Sequence, residues 1–190
     1  MPTKTPRPSA RERLLDAADE LFYEQGVHTV GIDRVIERAG VAKASLYATF
    51  GSKDELIRAY LERRHEARRK RIQASIDQAA TSRDAIVAIF DVLTTLFSRP
   101  GSRGCAFINA GAEVPEGSAI VEANDEYRAW VRSTFADLAA DAGARDPAQL
   151  AEQLLLLYDG SAVGARMDGG ADGALAARAA AATLLDAAVA

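Results

Sequence analysis

Thr29 to Leu56 reads T-V-G-I-D-R-V-I-E-R-A-G-V-A-K-A-S-L-Y-A-T-F-G-S-K-D-E-L. Two short helical segments hinge at Ala39-Gly40-Val41, and a third helix opens just after Gly51. This is the arrangement of a helix-turn-helix, in which the first helix crosses a DNA backbone and the second presents its N-terminal residues to base edges in the major groove. The stretch points to transcriptional control.

Upstream, Ser9-Ala10-Arg11-Glu12 has the form of a capping box, so a helix is expected to start there. Its apolar residues Leu14, Ala18, Leu21 and Phe22 recur at three- and four-residue spacing, and Gly26 supplies a left-handed stop. Thr29 can cap the second helix, which Gly40 ends. Ala42 offers the recognition helix no side-chain cap, a loss of about 1 kcal/mol. Ser52-Lys53-Asp54-Glu55 forms a second capping box for a helix that runs to about Ile76.

Charge is distributed unevenly. Met1 to Arg71 holds 15 Lys+Arg and 11 Asp+Glu, net +4, whereas Ile72 to Ala190 holds 8 and 16, net −8. A basic head is the footprint of phosphate binding, and an acidic body discourages nonspecific wrapping of DNA. The run R-R-H-E-A-R-R-K-R, Arg63 to Arg71, reads as a solvated or acid-paired face rather than a DNA stripe, with Glu122, Asp125 and Glu126 as partners.

The remaining pattern is helical throughout: Ser82 to Ser98, a short segment near Cys105 to Ala112, Ser118 to Ala142, Pro147 to Met167, and Ala174 to Val189, punctuated by Pro and Gly. No stretch alternates apolar and polar residues between hairpin turns, so no sheet is expected. The fold class is all-α. A flexible arm (1–8) precedes a three-helix head (9–53), and a helical connector with a ligand-binding and dimerisation body (54–190) follows. No run approaches the roughly 20 apolar residues of a membrane span, and the N-terminus lacks a signal-peptide core, so a soluble, cytoplasmic protein is expected. Cys105 is the sole cysteine, and His28 and His65 stand apart from it, which argues against a metal site or cofactor.

The string from Gly40 to Leu56, together with Leu14, Leu15, Ala17, Ala18, Leu21, Phe22 and Gly26, closely resembles the DNA-binding domain of the TetR (tetracycline-repressor) family. Gly104 to Glu113, G-C-A-F-I-N-A-G-A-E, is similar to a segment of one branch of that family. The resemblance implies a homodimer on a near-palindromic double-stranded operator, acting as a repressor released by a small-molecule effector. It also implies that Ala42, Lys43, Ala44 and Tyr47 face the major groove. Lys43 can donate to guanine, Ala42 and Ala44 can meet a thymine methyl, and Tyr47 can reach phosphate or a base edge. Ser45 and Thr49 have hydroxyls suited to phosphate, Lys53 lies at a helix N-terminus, and Thr29 completes the set. Tyr47 reads as a contact rather than a core residue because Leu46 and Phe50 occupy the inward positions. Lys4, Arg7 and Arg11 read equally as a DNA-following arm or a nonspecific tail.

In the body, Phe90, Phe97, Phe107, Asn109, Glu113, Tyr127, Trp130 and Tyr158 are the candidate ligand pocket, although a helical core uses the same residue types. The family's last two helices form a four-helix dimer bundle. Here Gly160, Ser161, Gly164, Ala165, Leu175, Leu184 and Leu185 are the expected interface. An enzyme acting through Cys105 has no base in the body and no G-x-S-x-G or phosphate-cradling loop. Cys105 reads as a buried small side chain rather than an oxidant sensor. A protein-binding adaptor on the same fold is the alternative.

Overall fold

A computed structural model describes residues 8–111 and 118–189. Its described elements are α1 (Ala10–Gln25), α2 (Ile32–Ala39), α3 (Lys43–Phe50), α4 (Lys53–Asp77), α5 (Ser82–Phe97), α6 (Ala106–Gly111), α7 (Ala119–Asp141), α8 (Pro147–Met167) and α9 (Asp172–Val189). No strand occurs among the described residues. The helices start where side chains can take up orphan N–H groups. Ser9 accepts from the Glu12 amide at 3.2 Å while Glu12 accepts from the Ser9 amide at 2.7 Å, closing the full capping box. Ser52 accepts from the Glu55 amide at 3.1 Å, but the reciprocal bond is absent, so the second box forms by half.

The start of α2 differs from expectation. Its N-cap is Gly31, without a side-chain bond, and Thr29 is an exposed turn residue. Val27 and Val30 explain the difference: both enter the core, at 2% and 1% exposure, which turns Thr29 outward and delays the helix. Gly26 ends α1 at a positive φ of 88°, which favours glycine, with ψ 145° outside the left-handed helical region. Gly40 ends α2 in the left-handed region, at φ 61° and ψ 44°.

The helix α4 binds head to body. Its first turns bury Leu56, Ile57, Tyr60 and Leu61, and the Phe22 and Tyr60 rings meet edge-on at 5.7 Å. Further along, Ile72 is buried, and the helix packs on α5 and α7. One continuous core therefore runs from α1 through α4 to α9. The run on α4 is acid-paired only in part: Lys70 bonds Glu66 of the same helix at 3.2 Å, and two arginines bond acids of the head. Arg63 bonds Asp16 and Arg64 bonds Asp19, each at 2.7 Å. Glu122 instead lies 3.5 Å from Arg58, upstream of the run, and Asp125 and Glu126 form no ion pair with it.

The last two helices pack tightly on each other. Gly164 of α8 faces Gly173 of α9 so closely that a side-chain carbon on either would lie 3.6 Å from the other's Cα. Ser161, Ala165 and Leu185 are buried within the chain's own core, as are Ala174, Ala177 and Ala181. These three expected interface residues therefore have no surface to give to a partner, and Gly164 serves the internal crossing. Gly160 and Leu175 remain exposed, and Leu184 is half-buried.

Candidate nucleic-acid interface

Only one residue of α3, Leu46, is fully buried, and this inward side chain fixes which face looks out. Ala42, Lys43, Ala44, Tyr47, Ala48 and Thr49 are exposed, and Ser45 is half-buried. Tyr47 is 46% exposed, and it is the sole large apolar side chain outside α8 and α9 so placed among the described residues. The ring stands on the outward face of α3, opposite the buried Leu46.

The polar groups of this face are held by their own neighbours. Lys43 Nζ bonds Asp33 at 2.9 Å, which raises the lysine's pKa. Both partners are exposed, so Lys43 can exchange that surface bond for another acceptor at small cost. Thr49 Oγ1 donates to the Ser45 carbonyl at 2.6 Å, inside the helix, leaving its oxygen at the surface. Lys53 opens α4 half-buried, and burial draws its ammonium pKa down. Ala42 is the N-cap of α3 and makes no side-chain bond, as its residue type requires.

The turn between α2 and α3 is clamped from outside. Arg13 of α1 donates through one Nη1 to the carbonyls of Ala39, at 3.2 Å, and Gly40, at 2.8 Å. Nothing local in the sequence signals this bond, because the partners lie 26 and 27 residues apart. Arg38 adds a bidentate bond to Glu20, which ties the far end of α2 to α1. Arg11 sits over the Phe50 ring at 5.6 Å, while Lys4 and Arg7 of the expected arm lie outside the described residues.

Residues 14–60 match the family model described as bacterial regulatory proteins, tetR family. The transcriptional activator FasR of Mycolicibacterium smegmatis is 31% identical over 144 residues, covering 74% of this chain and 64% of FasR, slightly under two thirds of that protein. A crystal structure of a TetR-family transcriptional regulator from Streptomyces coelicolor superposes with a TM-score of 0.90 at 31% identity, covering 95% of this chain and 96% of that one. The chain belongs to the TetR family. A cysteine mutant of the TetR-family regulator CifR, in complex with 26-base-pair operator DNA, shares the fold at a TM-score of 0.79 and 22% identity, covering 97% of this chain and all of that one.

In the body of this TetR-family chain, the expected pocket residues divide. Phe97 and Phe107 line a cavity of about 420 Å³, and Phe107 and Tyr127 line a second of about 400 Å³; Cys105, itself buried, borders both. Phe90, Asn109, Trp130 and Tyr158 line neither. Phe90 stacks on Phe135 at 5.9 Å, and Asn109 donates to the Arg103 carbonyl at 2.8 Å. Tyr158 is spent on Tyr127, hydroxyl to hydroxyl at 2.5 Å, and on Arg68 at 3.0 Å. Burial raises the pKa of both phenols. Glu113 lies outside the described residues. Among the described residues there is no cluster of His, Cys, Asp and Glu that could hold a metal ion, and no helix is long and apolar enough to cross a membrane.

His65 was an isolated residue in the sequence and joins an aromatic group in the fold. Its ring lies 5.4 Å from Tyr127, 5.2 Å from Trp130 and 6.3 Å from Phe107, and Nε2 is buried with no hydrogen-bond partner. Burial first, and the Arg69 charge second, lower its pKa below 6.5, against the opposing pull of Glu66 and Glu126. Between the folded pKa and 6.5 the unfolded chain holds a proton that the folded chain does not, so stability there increases with pH. The contribution is complete above the unfolded pKa and is lost as pH falls through the folded one. The melting temperature is expected to drop as pH falls through and below 6.5, and to drop less in His65→Phe, which fills the same aromatic niche without titrating. Parallel melting curves for the two proteins across that range would show that His65 contributes nothing to the dependence.

Proposed function

We propose that the protein is a homodimeric, ligand-responsive transcription factor that binds a near-palindromic operator through two copies of α3 and acts as a repressor released by a small molecule. The observation that carries this reading is the uncovered face of α3, where Tyr47, Lys43 and two exposed alanines stand above a single buried anchor, Leu46. A face of this composition suits groove reading: one cation for guanine, small side chains for thymine methyls, and hydroxyls for phosphate. The operator complex of CifR supports the same use of the shared fold. The head spans residues 9–53 and the body 54–190, with α4 joining them.

Dimerisation is supported by where apolar side chains are left uncovered. Leu156, Val163 and Met167 are 70%, 39% and 78% exposed and, with Gly160, form one stripe along α8; Leu175 and Val189 of α9 are 51% and 37% exposed. Exposed apolar side chains concentrated on two adjacent helices mark an interaction surface. An isologous pairing of that surface gives two heads related by a two-fold axis, which a near-palindromic operator would match. The two cavities, one at the junction with the head and one in the body, fall within the range of about 300 to 1,000 Å³ typical of small-molecule sites. A ligand preferring the DNA-incompetent state would need a coupling of about 1 to 3 kcal/mol.

Selection of binding sites by the purified protein from a random DNA pool tests the reading. The expected result is an enriched near-palindrome whose affinity falls steeply with salt. Absence of enrichment, with the protein folded, would overturn it and favour a protein-binding adaptor on the same fold.

A further inference from the structure

The larger cavity, about 420 Å³, opens where α1, α4 and the α5–α6 connection meet, at the junction of head and body. Five arginines line it, Arg63, Arg64, Arg68, Arg71 and Arg99, against one acidic residue, Asp19. Arg63 and Arg64 are paired with Asp16 and Asp19 of α1. Arg68 has only a neutral partner, the Tyr158 hydroxyl at 3.0 Å. Arg71 and Arg99 form no ion pair among the described residues. Partial burial and the like charges of Arg99, Arg68 and Arg64 draw the Arg71 pKa down, the mark of a site short of negative charge. A concave surface of one sign focuses its field, and guanidinium forks match oxyanions geometrically. The remaining wall includes Leu96, Phe97, Pro100 and Phe107, which is apolar.

We propose that this junction cavity binds a small organic oxyanion, with its charged end among Arg68, Arg71 and Arg99 and a ring or short chain against Phe97 and Phe107. Occupancy is transmitted to the head through α1. An oxyanion in the cavity competes with Asp19 for Arg64, and Tyr23 of the same helix reaches the cavity rim, accepting from the Arg103 amide at 2.9 Å and donating to the Gly104 carbonyl at 3.3 Å. Binding of the anion stands on the cavity alone; its effect on DNA affinity rests on the regulatory reading above.

Titration calorimetry of the full chain without DNA tests binding, using phenyl phosphate and benzoate as probes and benzyl alcohol and benzylamine as neutral and cationic controls. One or both anions bind saturably and the controls do not; which anion binds distinguishes a phosphate ester from a carboxylate. In the double variant Arg71→Gln/Arg99→Gln the affinity falls at least about tenfold, since each charged hydrogen bond removed is worth that much, and Arg71→Lys/Arg99→Lys recovers part of it. Both positions are exposed, so the variants should melt like the parent. No heat from either anion in a protein that binds its selected operator would overturn the site, as would equal binding of benzyl alcohol or undiminished binding by the glutamine variant. At constant ionic strength the bound anion also changes operator affinity in the parent and leaves it unchanged in the glutamine variant. Saturating anion without such a change would overturn the link to the head. Failure of the regulator reading itself is distinct: no operator is enriched although the calorimetric signal persists.

Discussion

Tyr47→Ala is expected to weaken operator binding by about 30- to 1000-fold while the protein keeps its melting temperature to within about 2 °C. The size of the effect follows from symmetry. A hydroxyl bonded to a phosphate or base edge contributes about 1 to 2 kcal/mol, and the proposed homodimer carries two copies, so about 2 to 4 kcal/mol is lost from one binding event. Stability is spared because the ring is 46% exposed and leaves no cavity when removed. Its neighbour gives the opposite signature: Leu46 is fully buried, and Leu46→Ala should cost about 2 to 5 kcal/mol of folding stability. Salt dependence separates Tyr47 from the cations. A neutral phenol displaces no counterion, so the salt slope of the residual binding stays as in the parent, whereas Lys53→Ala lowers it by about one per half-site. Gel-shift titrations over a salt series read both quantities, and undiminished affinity in Tyr47→Ala would remove this face from the interface.

Gly104→Ala is expected to lower the melting temperature by about 5 to 15 °C. Gly104 has φ +73°, and a β-carbon there would fall well inside contact distance of the Ala162 carbonyl oxygen in α8 and 3.3 Å from Arg166 Cβ. The left-handed backbone costs an alanine about 1 to 2 kcal/mol, and forcing a methyl against a helix backbone adds about 1 to 3. A nearby glycine isolates the two contributions. Gly101 has φ +76° but nothing within 4 Å of its would-be β-carbon, so Gly101→Ala pays for conformation alone. Calorimetric melting of the pair decides the matter, and equal losses would show that the crowding against α8 relaxes freely. The Gly104 carbonyl also accepts from the Tyr23 hydroxyl, so the variant also disturbs the bond that ties the α5–α6 connection to α1.

The head was legible because its signals are local. Ser9 and Glu12 are three residues apart, Gly40 is adjacent to the helix it ends, and the inward place of Leu46 follows from helical period alone. Thr29 misled for the converse reason: its side chain is a good cap, but the burial of Val27 and Val30 against distant residues decides where α2 starts. Arg13 was silent in the sequence, since its bonds depend on α1 lying across the turn. In the body, aromatic content identified residues that pack together, but not which of them border empty space. Phe107 does and Phe90 does not, a distinction set by neighbouring helices rather than by residue type. Small residues on α8 likewise suit a crossing within a chain as well as one between chains. Ser161 and Ala165 are buried in the first, and the larger Leu156, Val163 and Met167 are left uncovered for the proposed second.

Because Arg13 holds the turn and Leu46 alone anchors α3 in full, the outward residues of that helix carry almost none of the folding burden. If α3 reads DNA as proposed, exchanging Ala42, Lys43 or Ala44 would rewrite which DNA is read without asking the rest of the molecule to adapt. Descendants of this chain could thus acquire new target genes by a handful of codon changes, and a laboratory seeking to redirect it has the same small set of positions to vary.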